Sequence, residues 1–427
     1  MKFVLASWGS RGEVEPCAAI GRELQRRGHD VCIAVAPDLV GYAESAGLTA
    51  VAYGPVLQDI MDAYRDYWTT FFGSPWKVRE LSRLGRAIST PRNSWGEMSK
   101  ALTALADGAD LLFTSNLAFE RLAANVAEHH GIPLATLHWF PTRANGQLIP
   151  SLPAPVVRSA MTAYEWLSRG GSEKKFDDAQ RRELGLPKAK GPWPWSIGAH
   201  GWLEMQAYDE ACFPGLAAEW AEGNGRRPFN RPFVGTLTME LATAADEDVA
   251  SWIAAGSPPI FFGFGSMPVK SPADTIAMIA SACAQVGARA LVGTAGESFG
   301  DVPDFEHVKV VGAVNYAAIF PACRAVVHHG GTGTTALGLR AGAPTLILST
   351  DLHQTLWGGQ LKRLKVGTSR RFSGTTEKTL VADLRTILDP EYAARTRELA
   401  TRLTTPSESV VAAAKLLEDF ARLDRVH

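Results

Sequence analysis

The chain has 427 residues, 46% of them hydrophobic and 20% charged, with 43 basic side chains against 44 acidic ones. That length exceeds what one hydrophobic core sustains, so two domains of roughly 200 residues each are expected. The near-neutral balance excludes the basic excess of a nucleic-acid binder, and five scattered cysteines (Cys17, Cys32, Cys212, Cys283, Cys323) exclude a disulfide framework or a thiolate zinc site.

Residues 2–7 are a short run of strand formers, followed at once by Arg11 and Glu13. The run is too short for the apolar core of a signal peptide, and no apolar stretch reaches the ~18 residues of a membrane span. A reducing cytoplasm is the expected setting, with peripheral contact with the inner face of the plasma membrane left open. The glycine turn Gly9-Ser10-Arg11-Gly12 leads into an amphipathic helix over 14–27, Gly28 stops it, and 31–35 is the next strand.

The stretch between Tyr53 and Trp202 is rich in rings: Tyr64, Tyr67, Trp68, Phe71, Phe72, Trp76, Trp95, Trp139, Phe140, Trp166, Trp193 and Trp195. Two readings stand side by side. The rings fill core around long loops, or they line an apolar cleft, since binding pockets are mainly apolar and aromatic. Residues 64–76 show no helical stripe and lead the second reading. His129-His130 precede Gly131 and read as helix-end dipole partners. His138, beside Trp139, reads equally as an acceptor contact or a satisfied core histidine.

Gly-Asn-Gly-Arg-Arg-Pro within 222–231 breaks any helix and marks a boundary. The expected units are 1–225, 233–405 and a tail, 406–427, whose amphipathic helix crosses back to the first unit. The second unit repeats the grammar of the first: strand 259–264, turn Gly265-Ser266-Met267, helix 273–286, Gly287, strand 290–293. Strand–turn–helix–strand units predict parallel, doubly wound sheets.

The strongest signal is Val326-Val327-His328-His329-Gly330-Gly331-Thr332-Gly333-Thr334-Thr335-Ala336-Leu337. An apolar strand ends in two histidines, and a glycine turn opens a helix. Glycines let the backbone approach a phosphate, and free N–H groups at a helix N-terminus point toward negative charge. No lysine completes a P-loop, and the spacing is not the dinucleotide fingerprint. A turn built for packing is the plainer alternative, but two histidines beside GGTGTT favour a ligand.

Residues His328–Thr335 resemble the donor-binding signature of family 1 GT-B glycosyltransferases. Gly9-Ser10-Arg11-Gly12-Glu13-Val14-Glu15-Pro16 resembles the N-terminal motif of that family's bacterial and sterol-type members. Gly263-Phe264-Gly265-Ser266-Met267 resembles its interdomain phosphate loop, and the stretch ending Gln354-Thr355-Leu356-Trp357-Gly358-Gly359 resembles the segment after the signature. The matches are in order and span nearly the whole chain. They look most similar to the actinobacterial branch acting on glycopeptidolipids and glycopeptide antibiotics.

The resemblance implies a GT-B fold, two Rossmann-like domains facing across a cleft. It implies inverting, metal-independent transfer without a cofactor. His329 then resembles the histidine on the donor diphosphate, Gly331, Gly333, Thr334 and Thr335 the loop around it, and Ser266 the serine closing from the opposite side. Ser10, Arg11, Gly12, Val314, His353 and Gln354 complete the donor set. Glu13 is the candidate general base, where relatives often carry Asp; an acidic residue also suits the first turn of a helix, and both readings stand. Ser115-Asn116 stand near where the plant branch places a partner Asp. His353-Gln354 replaces the usual acidic-Gln pair, which is compatible with a 6-deoxyhexose such as rhamnose. Gly312-Ala313-Val314-Asn315 lacks a base-stacking tryptophan, so UDP and dTDP both fit.

The acceptor set is Tyr64, Tyr67, Trp68, Phe71, Trp76, His138 and Trp139. The expected activity is transfer of a hexose from a UDP- or dTDP-sugar to a hydroxyl of a lipopeptide, glycolipid or natural product. The alternatives are a nucleotide-sugar epimerase of the same fold and a non-catalytic nucleotide-sugar or lipid binder; an oxidoreductase ranks below both.

Overall fold

A computed structural model of the chain describes all residues except 74–75, 89–92, 169–173, 190–192, 223–230, 240–241, 264–270, 295–302 and 425–427. The short apolar runs of the sequence become strands, and the inner ones are buried along most of their length, the pattern of parallel sheets covered on both faces. In the first sheet, β1 (Lys2–Ser7), β2 (Asp30–Val35), β3 (Thr49–Ala52), β4 (Leu111–Thr114), β5 (Leu134–His138) and β6 (Leu203–Gln206) lie in the order β3-β2-β1-β4-β5-β6. In the second, β7 (Ile260–Gly263), β8 (Ala290–Gly293), β9 (Val308–Val311), β10 (Ala325–His328), β11 (Thr345–Ser349) and β12 (Gly367–Arg371) lie in the order β12-β11-β10-β7-β8-β9. All neighbouring pairs are parallel.

The two sheets share one topology. Each winds outward for three strands, then returns to the other side of its first strand. The winding reverses between β1 and β4 and between β7 and β10, and ligands of open α/β sheets bind outside the carboxyl ends of the strands at such reversals. Glu13 follows β1, and His329 follows β10.

The helices that matter for the site are α1 (Arg11–Arg26), α2 (Leu57–Gly73), α3 (Val78–Ile88), α4 (Glu120–His130), α5 (Ala154–Ser168), α6 (Pro272–Gln285), α7 (Thr332–Arg340), α8 (Leu352–Leu364) and α9 (Pro406–Asp424). In α4 the last turn carries His129 and His130, and Gly131 closes it in the left-handed conformation at φ +64°.

Two features depart from the sequence reading. Residues 64–73 belong to α2, not to an irregular aromatic stretch. The helical stripe starts upstream, at Leu57, Ile60 and Ala63, which pack toward the first lobe's core, so a window opening at Tyr64 missed it. The start of the second unit also shifts. Val234 and Leu237 are buried in the first lobe's core, and the Val234 N–H donates to the Gln206 carbonyl at 3.0 Å. The same segment also reaches the second lobe, where Arg340 bonds the Thr236 carbonyl at 2.8 Å and the Thr238 hydroxyl at 3.5 Å. The boundary glycines at 223 and 225 lie outside the described residues.

The C-terminal helix α9 returns to the first lobe. Ala413, Ala414, Leu417 and Ala421 join the core of β1, β2 and α1, while Glu418 accepts hydrogen bonds from Arg27 (2.7 Å) and lies 2.6 Å from His29.

Candidate active site

At the first reversal, the Ser7 and Ser115 hydroxyls each donate to the Glu13 carbonyl at 2.9 Å and lie 2.8 Å from each other. They tie the start of α1 to the ends of β1 and β4. The Glu13 carboxylate then folds back over the glycine turn, and its Oε2 accepts the Ser10 N–H at 2.7 Å. A Cβ on Gly9 would stand 2.0 Å from that oxygen, so only glycine leaves room for this fold-back. Burial raises the Glu13 pKa, while the Ser10 backbone and hydroxyl and the charge of His353 pull it down. The helix-start role and a position in the cleft thus coincide in one carboxylate. Burial pushes the neighbouring Cys17 thiol up to about 12, so it is inert.

At the second reversal, His328 Nδ1 accepts the Gly330 N–H at 3.0 Å, and Gly330 sits at φ +103°. A Cβ on Gly330 would meet Ile347 at 2.8 Å and Gln354 at 2.9 Å, so space and backbone both require glycine. Burial drops the His329 pKa to about 4, against an upward pull from the Gly263 backbone and the Asp351 charge. The ring is therefore neutral at pH 7. Its Nδ1 is buried and has no partner among the described residues, an arrangement that costs about 1–3 kcal/mol until a ligand atom fills it. Gly331 caps α7 with no side-chain hydrogen bond, so among the described residues the N–H groups of Thr332, Gly333 and Thr334 stay open at the positive end of the helix dipole.

The two lobes meet over this helix start. Thr332 Oγ1 donates to the Trp139 carbonyl at 3.1 Å, and Trp357 Nε1 donates to the same oxygen at 3.3 Å. On α8, Asp351 caps the helix by accepting the Gln354 N–H at 3.0 Å and holds His353 Nδ1 at 2.8 Å. The His353 ring meets Trp139 edge-on at 5.0 Å and stacks on Phe140 at 6.0 Å. Gln354 spends its Oε1 on the Thr350 N–H at 2.7 Å. The cleft thus brings together Ser10, Glu13 and Trp139 from the first lobe with His329, Gly331, Gly333, Thr334, His353 and Gln354 from the second.

Thr335 is fully buried and its hydroxyl donates to the Gly331 carbonyl at 2.8 Å, which shapes the turn. Val314 is packed in the second lobe's core and offers a ligand only its backbone. Gly12 is exposed at the start of α1, and the Arg11 guanidinium lies 4.9 Å over Tyr42 and 3.7 Å from Glu15, where its charge also acts on Tyr316 of the second lobe. Trp76 is 73% exposed, and Tyr67 is half-buried beside α3. The side chains of Tyr64, Phe72, Trp68 and Phe71, and the whole of Ser266, lie outside the described residues.

His138 is a core histidine in this structure, with no exposed surface. Its Nε2 lies 2.8 Å from Glu120, whose other oxygen accepts from Arg143 at 2.8 Å. Arg143 also pairs with Glu204, which binds Arg231 at 2.5 Å. Burial opposes charge on Arg143, yet the two carboxylates outweigh it and raise its pKa; Arg143 and Arg231 likewise hold Glu204 low against burial. This ionic cluster underlies the 139–143 segment. Its four charged members are scattered through the sequence with no shared motif, so only the sheet reveals them. Ser7, Phe140 and Trp357 were missed for the same reason: each acts through a partner on another strand or lobe.

One D-x-D spacing, the carboxylate pair of metal-dependent transferases, does occur at Asp246-Glu247-Asp248. Asp246 binds the Thr243 and Asn315 backbones at 2.7 and 2.8 Å, and Asp248 pairs with Lys309 at 2.7 Å, so both carboxylates are engaged in the protein itself.

Residues 277–418 match the family model of the erythromycin biosynthesis protein CIII-like C-terminal domain. Over 428 residues, and covering all of both chains, the protein is 56% identical to an uncharacterized glycosyltransferase of Mycobacterium tuberculosis (strain ATCC 25618 / H37Rv). The chain belongs to the family 1 GT-B glycosyltransferases. Its fold matches the solved glycosyltransferase of kitacinnamycin at TM-score 0.69 and 19% identity, over 98% of each chain. It also matches the glycosyltransferase VinC in complex with dTDP at TM-score 0.63 and 18% identity, over 100% of each chain. In this glycosyltransferase the two topological reversals, one bearing a carboxylate and one an open helix N-terminus, face each other across the GT-B cleft.

Proposed function

We propose that this enzyme transfers a hexose, with inversion, from a UDP- or dTDP-sugar to a hydroxyl of an apolar acceptor such as a lipopeptide, glycolipid or natural product. The observation that carries this reading is the second reversal: open N–H groups at Thr332, Gly333 and Thr334 beside a buried, unpartnered His329 Nδ1. That is a cradle for a diphosphate. As the anomeric C–O bond breaks, the leaving nucleoside diphosphate takes the electron pair, and the helix dipole and the neutral His329 stabilise its added charge. Glu13 takes the acceptor hydroxyl proton while that oxygen bonds the anomeric carbon from the face opposite the departing phosphate. Such attack inverts the carbon and needs neither metal nor cofactor.

His353 and Gln354 face the sugar. Replacing an acid by His353 removes one hydroxyl acceptor, which favours a 6-deoxyhexose. VinC holds dTDP, which supports a thymidine or uridine diphosphate as carrier. An apolar acceptor partitions into lipid, so peripheral contact with a bilayer belongs to the same reading; among the described residues no helix is long and apolar enough to cross a membrane. The test is a thermal-shift screen of the full chain against UDP-, dTDP- and GDP-sugars. Stabilisation by uridine or thymidine diphosphate sugars is expected. No shift with any of them would overturn the assignment.

A further inference from the structure

Helices α2 and α3 pack along each other as a hairpin on the first lobe. At its turn Trp76 is 73% exposed and Val78 68%. The inner side of α3 is settled: Leu84 is 5% exposed, and Gly85 lies against the Tyr67 ring. At about 100° per residue, Arg79, Arg83 and Arg86 fall within an arc of about 60° on the side away from Leu84. All three are exposed. With Lys77 they make four cations against one carboxylate, Glu80, which Lys77 holds at 3.3 Å. The acidic residues of α2, namely Asp59, Asp62 and Asp66, begin about two turns back from the Trp76 end. The whole chain has a net charge of −1, so this basic stripe is local and not part of a general excess.

A stripe of arginines alone suits any polyanion. An exposed indole and valine at the same edge do not, because they gain nothing from a soluble polyanion and are well placed at a headgroup boundary. We propose that this hairpin docks the enzyme on an anionic lipid bilayer, with Trp76 at headgroup depth and Lys77, Arg79, Arg83 and Arg86 on lipid phosphates. This rests on the reading of peripheral contact above and gives it a surface and a lipid class.

The test is co-sedimentation of the full chain with vesicles of phosphatidylcholine alone, or with about one-third phosphatidylglycerol. Binding is expected with the anionic vesicles alone and declines as salt rises. Each cation is worth about 5-fold, so R79Q/R83Q/R86Q lowers partitioning about 100-fold. Trp76→Ala lowers it as well, and both variants keep the wild-type thermal shift with nucleotide. Absence of vesicle binding, or an unchanged triple variant, overturns the proposal. So does full retention by Trp76→Ala, which would mark the stripe as a site for a soluble polyanion. Loss confined to a variant of α5, where Tyr164 and Leu167 are 73% and 79% exposed, would move the docking face elsewhere and overturn it too. A nucleotide shift without vesicle binding sinks the docking alone; vesicle binding without a nucleotide shift sinks the transfer reading alone.

Discussion

Glu13→Gln separates two roles that the structure places on one side chain. The carboxylate caps α1 through the Ser10 N–H at 2.7 Å, and it also faces the cleft with a raised pKa. A glutamine oxygen still accepts that N–H, so the cap survives while the base is lost. Loss of a positioned general base costs about 10²–10⁴ in turnover. The expected result is therefore a fall of that size in the rate of nucleoside diphosphate release with acceptor present and an unchanged donor KM. Glu13→Ala loses the cap as well and costs about a further 1 kcal/mol of stability. The pH profile adds a sign. Because burial raises the Glu13 pKa, the rate of the wild type should climb with pH through a midpoint above the ordinary carboxylate range. The same raised pKa means that its charged form weakens folding as pH rises through that midpoint, so Glu13→Gln should gain stability relative to wild type there. If Glu13→Gln retains turnover within a factor of about three, well short of the loss expected for a base, Glu13 is a helix cap and no more.

His329, neutral because its pKa lies at about 4, should bind nucleotide equally from pH 5.5 to 8 by about the same constant, as followed by titration calorimetry. A steep loss of affinity above pH 6.5 would show a charged ring instead. Its depressed pKa also has a stability consequence: folding should weaken as pH falls from about 6.5 toward about 4, a slope that His329→Ala reduces. Arg143→Met leaves Glu120 and Glu204 buried without their shared cation and should cost about 3–5 kcal/mol in denaturant unfolding, whereas a cost under about 1 kcal/mol would show that the cluster is hydrated. Truncation after Thr405 uncovers the core under Ala413, Ala414 and Leu417 and should yield aggregated protein by size-exclusion chromatography, with the first lobe failing before the second.

The local grammar was legible in the chain itself. The alternation of short apolar runs, glycine stops and amphipathic helices specified two doubly wound sheets, because strand and helix periods are properties of neighbouring residues. The run from His328 to Thr335 announced an anion site, because a glycine turn and a helix start lie within one short segment. What the tertiary structure decided is everything that depends on residues distant in sequence. The charge of His353 acts on Glu13 because the carboxyl ends of two sheets face each other. Trp139 sits on Thr332 and Trp357 because a loop from one lobe reaches the other. His138 is buried because Glu120, Arg143 and Glu204 converge on it from a helix, a loop and a strand. Each of those outcomes is set by burial and charge across long loops, and no period or motif in a single chain segment records which partner arrives.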